Sequence, residues 1–132
     1  MASRIEVSLD NRKVSDTIRK MQGLQRRMRG EAEKTVATYG LLIETTAKEL
    51  APVDTGALRA ATQFEIGEDK LSGKVANDLV YAPRIEFGFT GVDSAGRRFR
   101  QAAKPFMFPA FEQWRAPFFA ALKANLQGAL KK

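Results

Sequence analysis

Asp54-Thr55-Gly56, followed by Ala57, is the place in this 132-residue chain where residue types match a catalytic signature, because Asp-Thr-Gly presents the paired carboxylates of aspartic proteases. That chemistry needs two aspartates sharing a proton at the symmetric junction of an all-β dimer, each presented by a strand loop under a hairpin flap. The neighbours here are wrong for it: Pro52 precedes the triplet, a long helical pattern comes before that, and Arg59 follows. A helix-capping Asp54 in a connecting loop, starting a short turn at Thr55, is the reading they favour. The carboxylates Glu44, Glu49, Glu65, Glu68 and Asp69 never join a second ligand type and read as solvated surface charge. The absence of cysteine and histidine removes disulfides, thiolate nucleophiles, the commonest general base and the commonest zinc ligand. The glycines of GFTGVDSAG lack the strand-then-helix context of a phosphate-binding loop. No catalytic, cofactor-binding or metal-ligating residue is nominated, and the chain reads as a non-enzymatic protein.

Positive charge is the other chemical resource. The formal net charge is +7, with seven Arg or Lys against one Asp over residues 11–30 and four against none over 95–104. Arg97, Arg98 and Arg100 surround Phe99, a combination in which guanidinium groups neutralise phosphate while an aromatic ring stacks on a base. The competing reading, which usual loop behaviour favours, is a basic loop that orders against a partner protein.

These residues depend on the elements that carry them. Ile5, Val7 and Leu9 alternate with polar residues, which predicts a short half-buried strand. Val14, Ile18, Met21, Met28, Ala32, Val36, Tyr39, Ile43, Ala47 and Leu50 then follow three-and-four spacing, the stripe of a long amphipathic helix. Unbroken, it would run about 60 Å, more than a compact domain of this size covers, so a kink or break is expected near Gly30. Arg12, Arg19 and Arg26 repeat every seven residues on the opposite face. Pro52 closes the helical region. Residues 61–67 and 73–80 read as an antiparallel hairpin, 81–87 as a helical turn, and 88–104 as a long mobile loop.

The last element is an amphipathic helix with Phe111, Trp114, Phe118, Leu122 and Leu126 at helical spacing, Pro109 in its first turn and Gly128 at its end. Its aromatic cluster is too dense for one face, which predicts Phe108 and Phe119 in a subunit contact. The fold class is α+β in a single domain over 1–132: a long N-terminal helical region, a small antiparallel sheet and a C-terminal helix. No apolar run approaches the ~20 residues of a membrane span, and MASRIEVSLD lacks the apolar core of a secretory signal, so a soluble protein made in the cytoplasm is expected.

Three segments together resemble the tail-component family of lambdoid-type phages with long, non-contractile tails, whose members are tail-completion or head-to-tail joining proteins. They are Ala51-Pro52-Val53-Asp54-Thr55-Gly56-Ala57-Leu58-Arg59; Tyr81-Ala82 with Glu86-Phe87-Gly88; and Ala103-Lys104-Pro105-Phe106-Met107-Phe108-Pro109-Ala110. The sequence departs from the pattern at Phe89, which intervenes before Thr90, and at Phe108, where an arginine is common. The resemblance implies a structural protein of the virion neck or tail end in a siphovirus or prophage. It also implies a ring, often sixfold, between head-connector proteins and the tail terminator or tail tube, with incidental DNA contact in the lumen, no cofactor and no membrane.

Overall fold

The computed structural model describes residues 4–8, 11–53 and 56–131. It is a mixed helix and sheet fold whose elements run α1 (Asn11–Leu50), α2 (Ala57–Ala61), β1 (Thr62–Ile66), β2 (Gly73–Asn77), α3 (Ala82–Phe87), β3 (Phe89–Val92), β4 (Arg98–Gln101) and α4 (Met107–Leu130). The strands form two separate antiparallel hairpins, β1 with β2 and β3 with β4.

The two long helices make the frame, and their pairing is fixed by polar contacts. Trp114 donates its indole N–H to the Thr46 hydroxyl at 2.7 Å, and Asn125 donates to the Thr35 hydroxyl at 2.9 Å. Moving eleven residues along α4 thus corresponds to moving eleven residues back along α1, so the helices are antiparallel and both contacts recur after about three turns. Between them Tyr39 meets Trp114 and Phe118 edge-on, with ring centroids 6.0 and 5.8 Å apart. Pro117 lies inside α4 and removes the N–H that would bond the Gln113 carbonyl.

The β1–β2 hairpin lies across the middle of α1. Phe64 pairs with Val75, and its ring occupies the space that a Cβ on Gly40 of α1 would need; glycine there lets sheet and helix approach. Glu44 ties the two together by accepting the Phe64 N–H at 3.0 Å and the Lys48 ammonium at 2.9 Å. Below the hairpin, Asn77 donates to the Leu58 carbonyl and the Thr62 hydroxyl, while its own carbonyl oxygen receives the Leu79 N–H. This network satisfies polar groups around Thr62, which is fully buried.

Several expectations need correction. Residues 4–8 form no strand, and Ile5 and Val7 are exposed; Leu9 lies outside the described residues. The helix does not break at Gly30: α1 is one 40-residue element. Its length is sustained because α4 covers it from its C-terminal end to about that glycine, where Ala129 is buried. Residues 88–104, read as a loop, contain the β3–β4 hairpin, whose turn is closed by Asp93 accepting the Ala95 and Arg97 N–H groups. The helix α2 begins at Ala57 with Gly56 before it, and the cap assigned to Asp54 and Thr55 falls outside the described residues. Gly128 does not end α4, which continues to Leu130. Glu44 is half-buried and bonded rather than solvated.

Candidate assembly surface

The three segments that carry the sequence resemblance converge. Ala51 and Leu58 from the first, Ala82 from the second, and Phe106 and Ala110 from the third join Ala47 in one buried cluster, flanked by Ile43, Leu79, Ile85 and Met107. Glu86 then locks the second segment to the third. Its carboxylate is buried and accepts the backbone N–H groups of Phe106 (3.2 Å), Met107 (2.8 Å) and Phe108 (3.3 Å). These are the orphan donors at the start of α4, where helix geometry leaves N–H groups unpaired and favours negative charge. The next position is Pro109, which has no N–H to satisfy. One carboxylate therefore completes the helix end.

The rest of the motif shapes the turn into that contact. Tyr81, itself partly exposed, precedes α3 and accepts the Ile85 N–H. Gly88 ends α3 at φ 80°, and a Cβ there would stand 2.9 Å from the Gln101 carbonyl, so only glycine fits both the conformation and the space. The Lys104 N–H reaches the Ile85 carbonyl at 2.7 Å, pinning the far end of the β3–β4 hairpin to α3 before Pro105 turns the chain into α4. Pro52 sits half-buried after α1. Neither the Glu86 lock nor the tie from Asn77 to Leu58 and Thr62 is marked by local spacing, because their partners lie 15 to 22 residues away.

The outer surface is larger than a compact fold of this size requires, and large apolar side chains stand on it. The chain exposes 10337 Å², against about 6,900 Å² for a compact monomer of its mass. Between β2, the middle of α1 and the start of α4 lies an open groove of about 790 Å³, walled by Tyr39, Phe64, Val75, Phe87, Phe108 and Phe111. Phe87 and Phe108 are 79% and 62% exposed, and Phe119 is exposed further along α4. Residues 11–22 of α1 are exposed on every side, so Val14, Ile18 and Met21 form an uncovered stripe.

The basic triplet is divided by the β3–β4 hairpin. Arg97 is held at the turn by Asp93, with Nε 3.0 Å from the carboxylate. Arg98 and Arg100 alternate with Phe99 along β4, so both point to one face and the ring to the other. There Phe99 packs on Phe89 with centroids 5.5 Å apart, and Arg84 lies 4.0 Å over the Phe89 ring. The structure does not bring Phe99 beside the two arginines as a joint base-stacking site.

Among the described residues there is no cluster of three metal-ligating side chains, and no helix is long and apolar enough to cross a membrane. Asp54 lies outside the described residues, and the segments flanking it are the helices α1 and α2. Comparison with protein-family models, with curated proteins and with solved structures yields no match.

Proposed function

We propose that this chain is a structural virion protein of the head-to-tail junction of a long-tailed bacteriophage, a tail-completion or neck component that works by contacting copies of itself and neighbouring virion proteins. The observation that carries the reading is the division of the molecule. The residues resembling the tail-component family build a compact centre, while a bare apolar helix stripe and an open aromatic groove stand outside it. Contiguous exposed apolar side chains of this kind mark an interaction site. Two different apolar surfaces on one chain suit a head-to-tail contact, which closes into a ring when the rotation between subunits allows. Head-connector proteins and the tail terminator or tube are the further partners the resemblance implies.

Electron microscopy of lysates from the parent phage or prophage with this gene interrupted tests the reading. Packaged heads and separate tails, rejoined on complementation, are expected; normal infectious virions would refute it.

A second reading, a nucleic-acid-binding protein, is favoured by Arg98 and Arg100 on one exposed face of β4 and by the basic character of residues 11–30. It requires DNA affinity that falls steeply between low and physiological salt.

A further inference from the structure

The β1–β2 sheet has one engaged edge and one open edge. Because Phe64 gives its N–H to Glu44 on α1, the backbone groups of the Phe64–Val75 pair point away from each other, and the outer edge of β1 faces α1. By the same alternation Gly73, Val75 and Asn77 direct their N–H and C=O groups outward from β2, where no backbone partner meets them among the described residues. That open edge is one lip of the aromatic groove. An open edge beside an apolar groove is the arrangement that accepts an added strand.

The chain carries a segment of matching pattern with no place in its own fold. Ile5 and Val7 flank Glu6 in the alternation of a half-buried strand, yet they are 92% and 91% exposed. We propose that residues 4–8 of one copy add as a strand to the open β2 edge of a neighbouring copy, with Ile5 and Val7 turned into the apolar groove and Glu6 on the polar outer face beside Lys74. Charge complementarity supports the register. Lys74 occupies the outer face of β2, and its contact with Glu65 is exposed, at 3.5 Å. With Glu6 opposite Lys74, Ile5 and Val7 fall opposite Gly73 and Val75 whether the added strand runs parallel or antiparallel.

Reach decides that the strand comes from another copy. Six Cα-to-Cα steps separate Ile5 from the start of α1 at Asn11, at most about 22 Å when fully extended. Gly40, under the Phe64–Val75 pair, lies 29 residues along the helix, about 43 Å away. Even the hairpin turn, where the Asp69 carbonyl accepts from Arg29 at 2.9 Å, is about 27 Å along α1. A chain cannot lay residues 4–8 on its own β2.

This inference rests on the self-assembly part of the proposed function. Since the chain has no cysteine, Glu6→Cys and Lys74→Cys variants carry one thiol each. Mixed at high concentration and oxidised, they are expected to give a mixed disulfide dimer in excess over either homodimer. A yield no greater than that of Glu6→Cys with Thr38→Cys, an exposed position on α1, would overturn the proposal. Light scattering gives a second readout: the full chain should associate, and deleting residues 2–8 should abolish that association. Unchanged association, or a full chain that stays monomeric at millimolar concentration, would also overturn it. If the deleted chain still joins heads to tails in a complemented phage and no cross-link forms, strand addition fails and the neck reading stands. If the cross-link forms but virions assemble normally without the gene, the neck reading fails and strand addition stands.

Discussion

Two stretches of α1 carry the same apolar spacing and meet different surroundings. From about Gly30 to Ala47 the stripe is covered: Val36, Tyr39, Ile43 and Ala47 pack against α4, the β1–β2 hairpin and the core cluster, while Leu50 at the helix end is exposed again. From Asn11 to residue 22 the stripe continues through Val14, Ile18 and Met21, with nothing over it. The outer stretch stays helical because it propagates from the packed one and needs no nucleus of its own; alone, about a dozen residues would be marginal in water. The comparison teaches that periodicity reports which face a helix offers, while coverage depends on where the other elements end. Here α4 has only 24 residues to lay against 40.

Substitutions at the two stretches should differ widely in cost. Phe106→Ala empties a fully buried position and should destabilise by about 3–5 kcal/mol. Ile18→Ala, on the half-exposed stripe, should lower the unfolding free energy by no more than about 0.5 kcal/mol in urea titrations. A comparable loss from both would mean that the outer stretch is covered in the isolated chain. Next in size, Glu86→Ala leaves the first N–H groups of α4 without their acceptor and should cost about 2–3 kcal/mol, measured by thermal or urea unfolding.

A finer contrast uses two glycines of the same helix. Gly40→Ala drives a methyl group into the Phe64 ring and should destabilise by about 1–3 kcal/mol, despite alanine's better helix propensity. Gly30→Ala meets nothing within 4 Å and should stabilise by up to about 1 kcal/mol. Opposite signs are the outcome to check by urea unfolding.

The smallest effect is a pH dependence. The hydrogen bond from Lys48, aided by the Phe64 N–H and by the lysine's charge, holds the Glu44 carboxyl below its ordinary value of 4.5 against the opposing effect of burial. A depressed folded-state pKa means that the group's contribution is present above that ordinary value and is lost as pH falls through the lower, folded one. Glu44→Gln should therefore weaken the protein near neutrality and flatten its loss of stability as pH falls below the ordinary carboxyl value of 4.5. An unchanged acid slope in urea titrations would count against this role.

The contrast also locates what was legible beforehand. The closing of α1 before Pro52, the first hairpin, the short helix ahead of Gly88 and the placing of Pro109 follow from local chemistry: a missing N–H, alternation, a turn. The second hairpin was missed because its strands have four residues each and one carries arginine at alternate positions, which hides any apolar period. The turn that joins them did leave a mark, since Asp93 and Gly96 stand where a tight connection wants them. The Glu86 lock is illegible because it is a tertiary contact, and the cost of glycine at position 30 does not break α1 because α4 covers the helix up to Ala129. Alternation at Ile5 and Val7 was read as a strand within the chain, where the structure leaves both residues uncovered.

On the proposed function, the uncovered stripe of α1 is buried in an assembled neck. The most direct test is to complement the gene-interrupted phage with a chain carrying Val14→Ser, Ile18→Ser and Met21→Ser, after circular dichroism has shown that its core melts like that of the unaltered chain. The account predicts packaged heads beside unattached tails in electron micrographs. Fully joined, infectious virions would contradict it.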